Sequence, residues 1–305
     1  MCPMPVFVLI HRYDRSMLDL SRLRVIDAVA RHGSVTAAAR ELSYSQPSVS
    51  HHLARLEAET GAQLLQRVGR GIRLTPAGQL LAGRAAEILG RVDAAEAELS
   101  AHVGLTAGRV RLAGFASAIA LLVPRAAATL ARDHPGLKIG STDTHPPEAL
   151  EMLRTGKVEV AIIFRYDDAD DEPPGIRLQH LLDDPMYLLS DRPTRGMASL
   201  HEATWIAGCE RCRGHLLALC DAAGFEPRIG YESDDMVLIQ SLVAAGLCVA
   251  TLPGLALRAH HADGVNASKL PGLPRRVYAA TYGEPPDPPA VAALLAALAK
   301  AASEA

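Results

Sequence analysis

From Leu20 the apolar residues Leu20, Leu23, Ile26 and Ala30 recur at the spacing of one helical face, and the run stops at Gly33. Ser34 is placed to cap a second helix, VTAAAREL, whose alanines permit close packing. After the turn SYS a third helix is expected from Ser45. Pro47 is tolerated in its first turn, because the amide it lacks would have been unpaired there. Val49, Leu53 and Leu56 then share one face. The helical period turns Pro47, Ser50, His51 and Ala54 to the opposite face, with Ser48 and Arg55 on its flanks. Two short strands, Leu64–Val68 and Ile72–Thr75, follow around the turn GRG. Thr75 and Pro76 open a long helix. In it Leu81, Ala85, Ile88, Val92, Ala95 and Leu99 alternate in steps of four and three, a heptad seam that favours a coiled-coil partner. An amphipathic surface helix mimics part of such a run.

Gly104 and Gly108 end that helix, and the period then changes. Apolar strands alternate with helices: VRLAGFA, a helix through Leu130, LKIGSTD, a helix through Arg154, then VEVAIIF. PMYLLS, TWIAG, PRIGYES, a helix through Ala245, LCVATLP, RVYAATY and a last Ala/Leu-rich helix complete the series. This is a βαβ pattern and predicts an α/β body with a mostly parallel sheet.

A chain of 305 residues suits about two domains, and its aromatics are few, so the core is built of Ala, Leu, Val and Ile. No uncharged apolar run is long enough to cross a membrane. Residues 1–16 carry a short apolar run without a basic leader or a cleavage site, so they read as an upstream extension and the protein as cytoplasmic. The five cysteines are odd in number and scattered, which argues against a disulfide framework. A net charge of −3 conceals an asymmetry. Met17 to Thr75 holds eight arginines against five acids, while the remainder after Thr75 is acidic on balance. Only the head is suited to a polyanion.

The third helix supplies the reason its start is rich in hydroxyls. Small polar side chains and exposed first-turn amides suit a helix end pressed against phosphates and base edges, and Gln46 adds an amide that can pair with adenine. Alone, the serines read better as caps of a surface helix. The basic hairpin that follows, with Arg67, Arg70 and Arg73 along it, reads as a wing that grips the sugar-phosphate backbone.

The run LRVIDAVARHGSVTAAARELSYSQPSVSHHLARLEAETGAQLLQRVGRGIRLTPAG resembles the winged helix-turn-helix of the LysR-type transcriptional regulators. The landmarks are GSVTAAAREL, SQPSVSHHLARLE, Arg67 and LTPAG. The resemblance implies that Gln46, Pro47, Ser50 and His51 read DNA and that Arg70 lies in the wing. Thr36, Ser45, Ser48, Arg55, Arg67 and Arg73 complete the expected DNA-binding set. Two positions depart from the family pattern: His51 stands where Arg or Lys is usual, and Leu64–Leu65 replaces the usual Leu-Phe.

The resemblance further implies a winged helix-turn-helix domain over 17–75 (helix-turn-helix about 34–54) and a dimerisation helix over 76–105. It also implies a periplasmic-binding-protein-like effector domain over 108–305, in two α/β lobes. Lobe I is expected at about 108–165 and 275–305, and lobe II at about 175–266. In such sheets ligands sit beyond the carboxyl ends of strands. The candidates there are Ser117, Thr144, Phe164, Arg165, Gly208, Cys209, Ser233 and Pro253. The hydroxyls with Arg165 favour a small anion. The expected partners are a double-stranded operator, a small-molecule effector and further copies of the chain, as homodimer or homotetramer.

One cysteine-rich stretch competes with this reading. GCERCRGHLLALC holds Cys209, Cys212 and Cys220 with His215 between them. A C-x-x-C at a helix start suits redox sensing, and beside a histidine it suits zinc, yet no fourth ligand or second knuckle is correctly spaced. Ordinary packed thiols remain the commoner case. Cys248 reads as core and His260–His261 as surface loop. No nucleophile elbow, phosphate loop, HExxH or G-x-G-x-x-G occurs, so neither an enzyme nor a cofactor or metal is expected. A periplasmic solute-binding protein would have no use for the arginine-bearing head.

Overall fold

The computed structural model describes residues 18–68, 71–102, 108–166, 175–272 and 274–305, in two compact units that divide near residue 97. In the first unit α1 (Leu20–His32) is capped by the Asp19 carboxylate, which accepts from the amides of Ser21 and Arg22. Gly33, in the left-handed region, ends it. Ser34 caps α2 (Val35–Glu41), and Ser45 caps α3 (Gln46–Thr60). Leu23, Ile26, Ala38, Val49, Leu53 and Leu56 form the shared core. The hairpin β1 (Leu65–Val68) and β2 (Gly71–Leu74) is tied to α3 because Glu57 Oε1 accepts from the amides of Leu64 and Leu65, at 2.7 and 3.1 Å.

The long helix α4 (Pro76–His102) starts where Thr75 Oγ1 accepts from the Gly78 amide at 3.1 Å. Gly78 is required there, since a Cβ would stand 2.1 Å from the Leu64 carbonyl oxygen. The expected heptad seam is divided by the fold. Ala82, Ala85 and Leu89 are buried in the core of the head, with Leu81 and Ile88 packed against it. Ala85 is therefore not available to a partner helix, and Leu81 and Ile88 are only partly so. The reason is that α4 must first cover the open side of its own three-helix core. Leu99, at 66% exposure, and the exposed Ala95 make no such contribution, and Val92 is intermediate.

In the second unit the chain forms β3 (Arg109–Gly114), α5 (Ala116–Asp133), β4 (Lys138–Asp143), α6 (Pro146–Arg154) and β5 (Val160–Arg165). Next come β6 (Ile176–Asp184), β7 (Met186–Ser190), β8 (Thr204–Ala207), α7 (Glu210–Ala222) and β9 (Arg228–Glu232). The chain closes with α8 (Met236–Ala244), β10 (Ala250–Pro253), α9 (Gly254–Ala259), β11 (Asn266–Lys269), β12 (Arg275–Tyr282) and α10 (Pro289–Ser303). The first lobe is a five-stranded sheet in the order β4-β3-β5-β12-β6. β4, β3 and β5 are parallel, and β12 runs antiparallel to both its neighbours. The second lobe holds β10-β7-β11 and the parallel pair β8-β9, joined by a bridge between Trp205 and Val249.

α5 and α10 cover one face of the first sheet through Leu112, Ile162, Phe164, Val277, Leu122 and Leu298. α6 covers the other through Ala113, Ala161, Ile163, Ala280 and Leu153. These alternating sets follow from the strand period of two. The expected start of lobe II near residue 175 is not met. Ile176–Asp184 pairs along its length with β12, so the second lobe begins after Asp184.

The crossing itself is a buried ion pair. Asp184 and Arg275 are adjacent partners on β6 and β12, 0% and 3% exposed. Arg275 donates from Nε to Asp184 Oδ2 at 2.9 Å and from its terminal nitrogen to Ser117 Oγ at 2.9 Å. Its guanidinium lies 4.7 Å from the ring centres of both Phe115 and Phe164. Asp184 Oδ1 accepts from the Leu255 amide at 2.8 Å. Removing one partner from such a pair leaves a buried charge, while both together are satisfied.

Candidate functional site

The start of α3 presents Gln46, Pro47, Ser50 and His51 on one exposed face. Ser45 is exposed and Ser48 half-buried, and Ser45 Oγ accepts from the Ser48 amide at 3.3 Å. The first turn carries no acid, so the helix dipole meets no competing negative charge within that turn. Thr36 is exposed on α2. Arg55 is exposed, and its Nε donates to Glu59 Oε1 at 3.4 Å. On the hairpin Arg67 pairs with Ile72 and Arg73 with Gln66, so the two exposed arginines occupy opposite faces. Arg70 lies outside the described residues.

The cleft between the lobes of the second unit brings Gly208 and Cys209, both expected there, together with residues that were not. Tyr166, the residue after β5, stacks on His215 of α7 with ring centres 3.8 Å apart and planes 7° apart. Its hydroxyl lies 3.9 Å from Cys212 Sγ. His145, the N-cap of α6, lies 3.4 Å from the Asp234 carboxylate of the other lobe. Asp234 in turn accepts the Cys209 amide. Gly208 is needed at this point, because a Cβ would stand 2.9 Å from Asp234 Oδ1 and 3.3 Å from Cys212 Cβ.

Burial and electrostatics set the protonation of this cluster. The Cys209 thiol is brought down to about 6, first by the hydrogen bond from the Cys212 thiol and also by the Cys212 amide and His145, against burial and Asp234. Cys212 is pushed far up as the donor in that pair. Burial also raises Tyr166 and lowers His215, the latter with help from Arg275.

The expected cleft residues divide. Thr144 is half-buried at the end of β4, its amide donating to the Gly114 carbonyl at 2.8 Å, and among the described residues its hydroxyl makes no hydrogen bond. Ser117 is buried in the first turn of α5, its oxygen occupied by Arg275. Ser233 Oγ accepts the Asp235 amide at 3.1 Å. Phe164 is core, packed against Phe115 at 4.9 Å, since the period of two turns it under α5. Pro253 is buried beside the crossing, pairs with Met186 and has no amide to offer. Pro253 does not meet the expectation of an open cleft contact, and Phe164, though buried, touches the wall of the cavity that Arg165 lines. Arg165 alternates away from Phe164 toward α6, so it does not converge with Ser117. There it helps line a cavity of about 310 Å³ with Pro146, Pro147, Glu151, Arg154 and, from the other lobe, Arg211.

Cys220 is also removed from the cysteine cluster. It is buried in the core beside Trp205 and Leu216, and burial holds its thiol up at about 11. Among the described residues no group of three or more His, Cys, Asp or Glu side chains is placed to hold a metal ion.

The comparisons with known proteins fall on the same two parts. Residues 20–79 match the family described as bacterial regulatory helix-turn-helix protein, lysR family, and residues 104–303 match the LysR substrate binding domain. The chain belongs to the LysR family. It is 30% identical over 242 residues, 78% of this chain and 82% of the relative, to the probable regulator LrrA of Synechococcus elongatus. It is 32% identical over 185 residues, 60% of each chain, to the transcriptional regulator CbbR of Rhodospirillum rubrum. The fold is similar to that of ArgP from Mycobacterium tuberculosis, with a TM-score of 0.67 at 21% identity, covering 94% of this chain and 98% of the other. As in the family at large, the helix-turn-helix is the DNA-binding part and the two-lobed body the effector-binding part. Among the described residues no helix is long and apolar enough to cross a membrane.

Sequence reasoning missed Tyr166, His145, Asp234, Asp184 and Arg275. Tyr166 had a signal, as the next residue beyond a strand already assigned to the cleft. Asp184 and Arg275 had none, since only the crossing of β6 and β12 buries them.

Proposed function

We propose that this LysR-family chain is a cytoplasmic, homo-oligomeric regulator whose response to its effector is binding, without catalysis. It reads a double-stranded operator with Gln46, Pro47, Ser50 and His51 on α3, while Arg67, Arg70 and Arg73 hold the backbone. A small anionic effector binds between the lobes and changes their closure, and that change alters the spacing of the DNA-reading heads in the oligomer.

The observation that carries the effector reading is the cavity at the start of α6. Among the described residues it is lined by Arg154, Arg165 and Arg211, drawn from both lobes, and by Glu151, which is ion-paired to Arg154 at 2.7 Å. Thr144 stands two residues before Pro146, one of its walls. A ligand that touches both lobes binds one closure state better than another, which is the requirement for control.

Calorimetric titration with a panel of small mono- and dicarboxylates and their neutral amides tests this reading. A carboxylate is expected to bind where its amide does not. Arg165→Gln is expected to weaken binding by roughly ten- to a hundredfold, as loss of a charged hydrogen bond of about 1.5–3 kcal/mol implies. Equal binding of acid and amide, or an unchanged Arg165→Gln variant, would place the effector elsewhere.

A further inference from the structure

The effector reading leaves one reactive group unused. Cys209 and Cys212 stand one turn apart at the start of α7, and their sulfurs are 3.1 Å apart. Residues three apart on a helix have Cβ atoms about 5–6 Å apart, so a modest rotation of the first turn brings them into disulfide range. Both are half-buried and both are free thiols, unlike Cys220 and Cys248, which are buried in the cores of the second lobe. Cys209 is the N-cap of α7, at the positive end of that helix, where the Cys212 amide helps to stabilise its thiolate.

What surrounds the pair is also informative. Cys212 touches the Tyr166 hydroxyl, and Tyr166 stacks on His215, one turn further along α7. The Cys209 amide is held by Asp234, which faces His145. Tyr166 and His145 belong to the first lobe, and Cys209, Cys212, His215 and Asp234 to the second. The dithiol therefore sits between two contacts through which the lobes meet. A disulfide would turn Cys212 Sγ toward Cys209 and away from Tyr166.

We propose that Cys209 and Cys212 form a reversible dithiol–disulfide couple, oxidised by a hydroperoxide, and that the disulfide alters lobe closure through Tyr166 and His145. The sulfur site stands on its own geometry; its effect on regulation rests on the two-lobe reading above. In the first step the Cys209 thiolate attacks one oxygen of the hydroperoxide. The O–O bond breaks, the alcohol or water leaves after taking a proton, and Cys209 becomes a sulfenic acid. Cys212 sulfur then attacks Cys209 sulfur. The S–O bond breaks, and the leaving hydroxide takes the Cys212 proton as water. Two thiols and one hydroperoxide thus give one disulfide, one alcohol or water from the peroxide, and one further water. Exchange with an external dithiol restores the pair.

Such a pair is asymmetric in role, with Cys209 as the attacking sulfur and Cys212 as the resolving one. Its thiolate character gives a direct readout. Alkylation of Cys209 is expected to titrate with a midpoint near 6, against about 8.5 for an ordinary thiol.

The test uses the full chain carrying Cys2→Ser, without effector, treated with stoichiometric hydrogen peroxide and mapped by peptide mass spectrometry. Wild-type pairing is expected to yield a Cys209–Cys212 disulfide that dithiothreitol reverses, with Cys220 and Cys248 still reduced. Cys212→Ser is expected to stop at a sulfenic acid on Cys209 that a dimedone-type probe traps. Cys209→Ser is expected to give no oxidation at Cys212. Oxidation of Cys209 to sulfinic acid without a disulfide, or equal reactivity of all four thiols, would overturn the site. Limited proteolysis of the reduced and oxidised proteins then reads lobe closure. A changed cleavage pattern that Tyr166→Phe diminishes supports the coupling, and identical patterns in both redox states overturn it. Neither readout needs the effector, so failure here leaves the effector reading untouched, and failure of the calorimetric titration leaves the disulfide untouched.

Discussion

Ser43 closes α2 with φ at 57°, a left-handed conformation that suits glycine. The amide of Tyr44 donates to the Ala39 carbonyl at 2.9 Å and that of Ser43 to Arg40 at 3.2 Å, so the turn between the two helices depends on that conformation. Ser43→Gly is expected to raise the head's stability by about 1 kcal/mol, read as a shift of the urea midpoint. An unchanged or lower midpoint would show that the Ser43 conformation carries no strain. On α3, His51→Ala is expected to relax base preference more than it weakens binding, because an imidazole on the exposed face makes a directional contact to a base edge. Arg73→Ala on the hairpin is expected to weaken all sequences alike and to reduce the salt slope by about one unit. Equal, sequence-independent losses from both variants in a salt titration would remove that division of roles. The face carrying His51 was legible because helical periodicity alone separates it from Val49, Leu53 and Leu56. Arg165 and Phe164 were harder: both end one strand, and only the identity of the layer above each sheet face decides which is core.

The helix α4 shows what periodicity leaves open at the scale of one element. Its seam reads as continuous from Leu81 to Leu99, yet Ala85 is spent inside the head and Leu99 is exposed. A one-dimensional pattern does not say whether an apolar face meets its own chain or a second copy. The two halves are therefore expected to respond differently. Leu89→Ala is expected to cost about 2–5 kcal/mol of head stability through a buried cavity. Leu99→Asp is expected to leave thermal unfolding of the head near wild type and to weaken the oligomer, measured by sedimentation velocity across a dilution series. An oligomer unchanged by Leu99→Asp would show that this half of the seam is not the interface. Strand β6 was missed altogether for a related reason. IRLQHLLDD has too little alternation to read as a strand, and it holds its place through pairing with β12 rather than through a buried face of its own.

At the scale of the whole second unit, closure turns on the crossing where Asp184, Arg275 and Ser117 meet. Arg275→Ala is expected to destabilise this unit by about 3–5 kcal/mol, because it leaves the buried Asp184 carboxylate with only the Leu255 amide and the more distant Arg258, 3.8 Å away. Chemical denaturation checks this, and a loss below 1 kcal/mol would show the crossing to be hydrated. Since Ser117 is bound into that crossing, Thr144 is the cleaner probe of the effector. The central claim is that a small anion between the lobes controls DNA binding. It is tested most directly by fluorescence anisotropy on an operator fragment selected by the protein itself, with the same carboxylate panel present, for wild type and Thr144→Val. At least one carboxylate is expected to change wild-type operator affinity by about 5- to 150-fold. The variant, with normal affinity in its absence, is expected to need roughly five- to a hundredfold more for the same effect. A wild type that responds to no carboxylate, or a Thr144→Val protein that responds at the same concentration, would contradict the account.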